Sequence, residues 1–409
     1  MNWSEINALS EIHGDSFFVF DKDQFIDNFH RLNDAFNAKY SNTTIGYSYK
    51  TNYTPTICKL VNELGGFAEI VSEMEFDLAE MLGIAYEKII YNGPYKSDKS
   101  LRKALLKGCI VNLDSQRDLN ILLDLADTHS TTKFEVSIRC NFALDDELVS
   151  RFGMDINEDF FGSSIKMISD TPNVELTGLH CHFPNRAVAT YRTRINQMLD
   201  LIDEHFTVPP KFINIGGGFF GDVPEELWDF FGGSPPPSFD DYAEVIGCAL
   251  SNAFPNEEQR PVLFIEPGTA LVANTFRFYT KIINTKTIRE RNIATASGSI
   301  FNISPSARNI NLPLTLISNS VEKRSTDKIF DIGGFTCIEG DYLSKNVRAD
   351  IRVGDFAEYQ NVGSYSIVMK PPFILPSVPI LMTEKNKDQF RVIKKKETTE
   401  YIFENFVDI

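Results

Sequence analysis

The sequence lacks the features that mark membrane-spanning, secreted and nucleic-acid-binding proteins. No apolar run approaches the roughly 20 residues of a membrane span, and residues 1–16 contain neither a basic nor an apolar signal segment. Positive charge is also scarce, because 40 Lys and Arg stand against 56 Asp and Glu and give a net charge of −16. This charge argues against binding to nucleic acids or anionic membranes. We therefore expect a cytoplasmic protein that acts on a small molecule.

Cysteine is sparse and unpaired in the sequence. Six cysteines occur without a CxxC motif, at Cys58, Cys109, Cys140, Cys181, Cys248 and Cys337. This scatter fits reduced thiols in a cytoplasm better than a disulfide framework or a structural zinc site. We expect no bound metal.

What the sequence does contain is a repeated alternation of strand-like and helix-like segments. Its 409 residues, 43% of them hydrophobic, suffice for one barrel and a smaller second domain. Eight β-rich runs are separated by amphipathic stretches, at 44–50, 67–72, 88–93, 109–115, 134–141, 176–183, 212–218 and 262–268. Such alternation predicts parallel βα units. Eight of them predict an α/β fold with a closed (β/α)8 TIM-type barrel, over residues 25–275.

After residue 275 the pattern changes to strands without long intervening helices. FRFYTKII, IRVGDFAEYQ, FRVIKKKE and TEYIFENFV are predicted strands of a C-terminal all-β domain, a sandwich or barrel. The early run DSFFVFD precedes the first barrel helix and is predicted to pair with that domain. The β domain is therefore expected to comprise residues 1–24 and 276–409.

Polar residues and glycines stand at the ends of the predicted barrel strands. They are Lys50, Glu69, Ser72, Asn92, Asp114, Arg139, His182, Gly216, Gly217, Gly218 and Glu266. In a (β/α)8 barrel these ends share one rim, where active sites form. A lysine in a desolvated pocket can form a Schiff base with an aldehyde such as pyridoxal 5′-phosphate (PLP).

Other residues of the predicted rim suit the remaining parts of that cofactor. The glycines of INIGGGFFG allow backbone N–H groups to approach a phosphate. Glu266 can keep a pyridine nitrogen protonated, and His182 offers a flat ring for stacking.

Each motif also has a simpler interpretation. Lys50 could extend to solvent from a strand end, and Glu266 could be a turn residue. Gly216, Gly218 and Gly221 match GxGxxG, but a dinucleotide fingerprint must open a helix and DVPEELWDFFGGSPPP follows instead. His180 and His182 could be metal ligands or a structural pair, although no acidic or cysteine ligand follows at a suitable spacing.

Taken in order, seven motifs resemble those of the fold III PLP-dependent decarboxylases, which share an alanine-racemase-type barrel. This family includes diaminopimelate, ornithine/arginine and carboxynorspermidine decarboxylases. The motifs are YSYKTN, AEIVSEMEF, GLHCHF, IGGGF, IEPGTALVANT, GGFTCIEGD and NVGSYS. The resemblance implies a PLP-dependent amino-acid decarboxylase, a carboxy-lyase, that releases carbon dioxide through a Schiff base on Lys50.

The resemblance also assigns roles to residues and implies a homodimer with shared active sites. It implies that Lys50, His182 and Cys337 are catalytic. Cys337 would reach the site of a second subunit and act there as proton donor. The alternative is that Cys337 is an inert buried thiol. The cofactor-binding residues would be Lys50, Glu69, Arg139, His182, Asn185, Gly216, Gly217, Gly218, Glu266 and Tyr365.

Four departures from the family pattern indicate a divergent member, and they leave the identity of its substrate open. Asn185 replaces a serine that touches phosphate, and Thr269 replaces an arginine of the diaminopimelate and ornithine enzymes. The acidic residue after Cys337 is displaced to Glu339. Arg308 is the possible substitute for an absent Arg-Pro carboxylate contact. The candidate substrate contacts are Thr269, Arg308, Glu339 and Asp341, and the substrate is an amino acid or a substituted diamino acid.

Two other functions remain open from the sequence. An alanine-racemase-like racemase shares the barrel but uses a tyrosine of the β domain, whereas the CIEGD motif favours decarboxylation. A non-catalytic regulatory homologue would tend to lose the lysine or the cysteine, and both are present.

Overall fold

The computed structural model describes residues 1–144, 149–304, 310–319, 324, 326–383 and 389–407. Its strands, in chain order, are β1 (Ser16–Phe20), β2 (Thr43–Ser48), β3 (Phe67–Ile70), β4 (Ile89–Tyr91), β5 (Ile110–Leu113), β6 (Phe134–Asn141), β7 (Met154–Asp155), β8 (Val174–His180), β9 (Phe212–Asn214), β10 (Val262–Ile265), β11 (Phe276–Ile288), β12 (Arg291–Ala296), β13 (Leu314–Ile317), β14 (Ile329–Gly333), β15 (Tyr342–Arg348), β16 (Phe356–Gln360), β17 (Ile380–Thr383) and β18 (Phe390–Lys394).

The helices of the same residues are α1 (Trp3–His13), α2 (Lys22–Asn37), α3 (Pro55–Glu63), α4 (Glu73–Met81), α5 (Asp98–Lys107), α6 (Gln116–Thr128), α7 (Asp159–Ser169), α8 (Val188–His205), α9 (Phe239–Ala253), α10 (Thr269–Val272), α11 (Ile300–Ile303) and α12 (Thr399–Phe403). Within the described ranges, no helix combines the length and the apolar character needed to cross a bilayer.

The chain divides into two compact units. The barrel unit comprises residues 28–221 and 237–270, and the β unit comprises residues 1–27, 222–236 and 271–409. Residues 222–236, which the sequence prediction placed in the barrel domain, thus group with the β unit. The boundaries of the barrel domain at residues 25 and 275 stay predictions.

The barrel unit contains the predicted closed barrel of eight parallel strands. The strands follow the order β5-β4-β3-β2-β10-β9-β8-β6, and pairing of β5 with β6 closes the ring. Each of the eight runs predicted from the sequence contains one of these strands. The (β/α)8 prediction is confirmed.

The interior of the barrel explains the small residues of the first strand. Ile90, Phe212 and Phe264 come from β4, β9 and β10 and form a buried cluster, which fills space between strands that are not all neighbours. A Cβ atom on Gly46 would lie 2.9 Å from the Cδ1 atom of Ile90. The small face of β2 therefore makes room for large side chains from the other strands.

The β unit is built on a mixed sheet in which the N-terminal strand takes part. Strand β1 pairs antiparallel with β11 and parallel with β17, and β16 joins β11 to β13. Buried residues of both ends of the chain form its core: Ile6, Phe17, Val19, Tyr279, Phe356 and Leu381. The prediction that the N-terminal strand joins the β domain is confirmed.

Two terminal segments differ from the sequence prediction. TEYIFENFV was predicted as a strand, but it contains α12, whose cap Thr398 accepts a hydrogen bond from the backbone N–H of Tyr401. The opening residues, for which no structure was predicted, form α1. There Asn2 and Glu5 make a reciprocal capping box.

Candidate active site

The amine of Lys50 lies at the end of the first barrel strand and is held by an acid. Lys50 follows β2 in a short 3-10 turn, and its Nζ atom lies 2.5 Å from Oε2 of Glu69. The Lys50 side chain is 34% exposed, whereas that of Glu69 is fully buried. The carboxylate therefore fixes the direction of the amine while leaving part of it accessible.

A single amide joins Glu69 to the second acid of the site. The Nδ2 atom of Asn92 donates to Oε1 of Glu69 at 3.0 Å and to Oε1 of Glu266 at 2.8 Å. Its own Oδ1 accepts a hydrogen bond from Asn112 at 2.5 Å. Asn92 thus couples the carboxylate beside the lysine to the carboxylate that follows β10.

The two oxygens of Glu266 have different surroundings. Oε1 accepts hydrogen bonds from Asn92 and, at 2.7 Å, from Asn214, whereas Oε2 lies 3.5 Å from Nε2 of His180. Burial alone would raise the pKa of Glu266. The charge and hydrogen bonding of His180, with the charge of Lys50, outweigh burial and hold this pKa well below its usual range. Glu266 is therefore a carboxylate at neutral pH.

His182 presents a neutral ring fixed by a glycine. The backbone N–H of Gly217 donates to its Nδ1 atom at 3.0 Å. Because Nδ1 accepts this hydrogen bond, the ring proton of the neutral form resides on Nε2. Burial, together with the positive charges of Lys50 and Arg139, lowers the pKa of His182 well below 6.5. The ring is suited to stacking rather than to carrying charge.

The glycine loop is tightly packed against its neighbours. A Cβ atom on Gly217 would lie 2.2 Å from the backbone oxygen of Glu266, and one on Gly216 would lie 2.6 Å from Nδ1 of His182. Gly216 and Gly218 also have positive φ angles of 69° and 94°. Side chains are excluded here, so the loop keeps its backbone close to the acid and the histidine.

Asn185 lies beside this loop. Its Oδ1 atom accepts a hydrogen bond from the backbone N–H of Ala187 at 2.9 Å. Its backbone oxygen accepts one from the guanidinium of Arg194 and lies 3.8 Å from the position of a Cβ on Gly218. The expected proximity of Asn185 to the glycines is therefore present.

Arg139 is held at the same rim by an ion pair. Its Nη1 atom lies 3.2 Å from Oδ1 of Asp114, and its Nη2 atom donates to the backbone oxygen of His182 at 3.4 Å. Both side chains are buried. Arg139 thus supports the histidine strand end, and its charge is already balanced by Asp114.

A third acid lies near the lysine. Glu75, at the start of α4, accepts a hydrogen bond from the backbone N–H of Val71 at 2.7 Å. Burial raises the pKa of Glu75 from 4.5 to about 7, and the neighbouring charge of Glu69 adds to this. The sequence analysis gave this residue no role.

The remaining predicted site residues belong mostly to the β unit. Cys337 and Glu339 are exposed on one loop, so the thiol is not buried within its own chain. Tyr365 is half-buried and has a positive φ of 61°. Thr269 begins α10 in the barrel unit and is half-buried. Arg308 lies outside the described residues.

Asp341 serves its own loop. Its carboxylate accepts four hydrogen bonds, from the backbone N–H groups of Ile300 and Thr336 and from the hydroxyls of Ser299 and Thr336, at 2.7–3.1 Å. The side chain is 4% exposed. We therefore replace its predicted substrate contact by a structural role, in which it holds the loop that carries Cys337.

Several buried residues of the site were not identified from the sequence as functional. Asn214, His180 and Arg194 surround Glu266 and the glycine loop. His180 lies within the motif GLHCHF and Asn214 within the run INIGGGFFG, so their position on the strands was the available signal. Among the described residues, no group of acidic, histidine and cysteine side chains could hold a metal ion.

Comparisons with known proteins identify a family and agree with the barrel fold. Residues 22–273 match the family model described as pyridoxal-dependent decarboxylase, pyridoxal binding domain. A diaminopimelate decarboxylase of Aquifex aeolicus is 25% identical, over 99% of this chain and 94% of its own. A probable chloroplastic diaminopimelate decarboxylase of Oryza sativa is 28% identical, over 90% of this chain and 76% of its own.

Solved structures confirm the fold. The diaminopimelate decarboxylase of M. jannaschii, in complex with L-lysine, superposes with a TM-score of 0.84 at 21% identity, covering 98% of this chain and 94% of that one. The Helicobacter pylori enzyme, also with L-lysine, gives a TM-score of 0.82 at 22% identity, covering 97% and 98%.

Proposed function

Because the chain belongs to the pyridoxal-dependent decarboxylase family and is a PLP-dependent amino-acid decarboxylase, we propose that Lys50 is the residue that carries the cofactor. The observation that supports this most is the continuous set of contacts from Lys50 through Glu69 and Asn92 to Glu266. It offers an amine for the aldehyde and an ionised acid for the ring nitrogen within one buried network.

The other rim residues fit the rest of PLP. Gly216, Gly217 and Gly218 keep side chains away from the place proposed for the phosphate, and the neutral ring of His182 suits the pyridine face. When bound, PLP supplies an electron sink for the electron pair that carbon dioxide leaves on the substrate's α-carbon. Glu266, whose carboxylate is ionised, would hold a proton at the ring nitrogen.

Cys337 is proposed to supply the proton that replaces the carboxylate on the α-carbon. The thiol is exposed on a loop held by Asp341, so it is free to enter a neighbouring site. We propose that the protein is a homodimer in which Cys337 of each copy completes the site of the other. The proposed location is the cytoplasm, where the six unpaired cysteines would remain reduced.

The substrate is proposed to be an amino acid with an amine or an amide-linked group at its far end. The relatives named above are diaminopimelate decarboxylases by name. In this chain Thr269 offers a hydroxyl where the family motif has an arginine, so a distal carboxylate loses its positive contact. Glu339 is exposed beside Cys337 and could attract a distal ammonium instead.

The cofactor proposal is tested by trapping. Borohydride reduction of the PLP-loaded protein, followed by mass spectrometry of peptides, is expected to find the cofactor on Lys50. Lys50→Ala should lose both the trapped adduct and the release of carbon dioxide. Lys59→Ala, at an exposed lysine of α3, is the matched control and should retain both. An adduct on another lysine would contradict the assignment.

The substrate proposal uses the same protein. Release of carbon dioxide from lysine, ornithine and acylated diamino acids is compared with release from diaminopimelate. We expect kcat/KM for at least one substrate without a distal carboxylate to exceed that for diaminopimelate. A preference for diaminopimelate over all others would overturn this part and leave the cofactor assignment intact.

A further inference from the structure

A buried arginine lies behind the glycine loop without an acidic partner. Arg194, on α8, is fully buried, and its Nη2 atom donates to the backbone oxygen of Asn185 and to Oγ1 of Thr190. Its Nε and Nη1 atoms have no hydrogen-bond partner. In the part of the chain that the structure describes, Arg194 forms no ion pair with a carboxylate, so its charge is unbalanced.

An unbalanced buried cation is costly. A charged group removed from water destabilises a protein unless a counter-charge and hydrogen bonds replace its hydration. The guanidinium carbon of Arg194 lies 4.1 Å from the ring centre of Tyr191 and 5.6 Å from that of Phe183. These aromatic faces offset part of the cost, but they leave the N–H groups of Nε and Nη1 without acceptors. The arrangement favours an anion nearby.

The position of Arg194 indicates which anion. Its partner Asn185 flanks Gly218, and Tyr191, on which it stacks, donates from its hydroxyl to the backbone oxygen of Gly217 at 2.9 Å. A Cβ on Gly218 would lie 3.1 Å from the Tyr191 hydroxyl and 3.8 Å from the Asn185 oxygen. Arg194 therefore supports both chain segments that border the proposed phosphate position.

The neighbouring residues of the loop provide little other positive charge. Thr269 and Asn185 are neutral, and Arg139 is already paired with Asp114. Among the described residues, Arg186 is a further cation near the loop, but it is half-buried and lies over the ring of Phe220, 5.2 Å from its centre. The fixed, desolvated charge beside the loop is that of Arg194.

We propose that Arg194 supplies the positive charge that balances the phosphate of PLP and, by holding Asn185, positions the loop that binds it. This inference rests on the proposed function. Arg194 is a positioning residue in this proposal, since its guanidinium acts partly through Asn185.

The test compares two ligands that differ only in the phosphate. Affinities for PLP and for pyridoxal, which lacks the phosphate, are measured by spectroscopic titration of the cofactor-free protein. The wild type is expected to prefer PLP strongly. In Arg194→Gln and Arg194→Met the ratio of the two affinities should fall by about tenfold or more, as expected for loss of a hydrogen bond to a charged group. Arg194→Lys should retain part of the preference.

Two matched variants serve as controls. Arg192→Gln removes an exposed arginine from the same helix and should leave the ratio unchanged. Arg186→Gln tests the rival cation and should change the ratio less than Arg194→Gln. A second readout is thermal stabilisation of the cofactor-free protein by inorganic phosphate, which the Arg194 variants should weaken.

The possible outcomes separate the two proposals. An unchanged ratio in folded Arg194→Gln and Arg194→Met, or a larger effect of Arg186→Gln, would overturn the role of Arg194. If neither of these variants folds, an Arg194→Lys protein with the full wild-type preference would overturn the positioning of Asn185 by the guanidinium, and a reduced preference would support it. Failure of the wild type to bind either ligand would instead refute the proposed function.

Discussion

At the scale of single residues, the site depends on one buried amide. Asn92 donates to Glu69 and to Glu266, and the hydrogen bonds of buried groups to charged acceptors each contribute about 1.5–3 kcal/mol. We predict that Asn92→Leu, which is similar in size, lowers the free energy of unfolding of the cofactor-free protein by about 3 kcal/mol. Urea denaturation measures this change.

The variant Asn92→Asp provides a sharper form of the same test. It places a third carboxyl between Glu69 and Glu266, so its folded-state pKa should be raised above the unfolded value. Stability relative to the wild type should then fall as pH rises from about 5 to 8, because the folded state binds the proton more tightly. If the difference in the free energy of unfolding between Asn92→Asp and the wild type did not depend on pH, this would contradict the placement of Asn92 between the two acids.

Glu75 makes a second pH-dependent prediction. Its folded-state pKa of about 7 lies above the 4.5 of the exposed group, so the folded protein retains a proton that the unfolded chain releases. Stability therefore falls as pH rises from 4.5 through 7, by about 3 kcal/mol in all. Glu75→Gln removes this loss, so above pH 7 it should be more stable relative to the wild type than at pH 5.

The control for this prediction is Glu63→Gln, at the exposed end of α3. Its stability relative to the wild type should not depend on pH in the same range. If the Glu75→Gln and wild-type curves run parallel in urea denaturation between pH 5 and pH 8, the raised pKa of Glu75 is wrong.

The sequence indicated part of the site at this scale. Lys50, Glu69, His182 and Glu266 were identifiable because reactive side chains at strand ends of a barrel meet at one rim. The contributions of Asn214 and Arg194 were not identifiable from the sequence, because buried amides and arginines follow no motif. Their roles depend on which atoms they reach, and that depends on strand register and helix rotation.

At the scale of elements, the alternation of apolar runs and amphipathic stretches was sufficient to predict the strands of the barrel. It was insufficient to predict all strands of the β unit. Parallel barrel strands are buried and apolar, so each appears as a short hydrophobic run. Strand β15 contains Lys345 and Asn346, the latter with a positive φ of 59°, and its pairing with β14 shifts register. Such a bulge breaks the two-residue period, which explains why β14 and β15 were not predicted.

The glycine loop offers a prediction at this scale. Gly217→Ala would place Cβ 2.2 Å from a backbone oxygen of Glu266, and backbone atoms cannot move aside as a side chain can. We expect a loss of about 3 kcal/mol in the free energy of unfolding and weaker binding of PLP, measured by denaturation and by titration.

Gly162 provides the matched control for this substitution. It lies within α7 with no atom near the position of its Cβ, so Gly162→Ala should stabilise the protein by up to about 1 kcal/mol. If Gly217→Ala binds PLP as the wild type does, the loop does not require the absence of a side chain.

At the scale of the whole molecule, the proposal that Cys337 serves a second copy concerns two chains rather than one. The proposed donor, Cys337, belongs to the β unit and is exposed. The family resemblance implies that it serves a second copy, and a shared site of this kind requires complementary surfaces on the two molecules. The arrangement must be tested with two chains.

Mixing two inactive variants tests this sharing directly. Lys50→Ala lacks the cofactor anchor and Cys337→Ala lacks the donor, so each homodimer should release little carbon dioxide. In a mixed dimer, one site would combine the intact Lys50 of one copy with the intact Cys337 of the other. After equal mixing and subunit exchange, about a quarter of all sites should be intact. Recovery of about a quarter of wild-type activity would support shared sites. Activity no greater than the average of the two variants would show that each chain uses its own cysteine, because no combination of subunits could then restore a complete site.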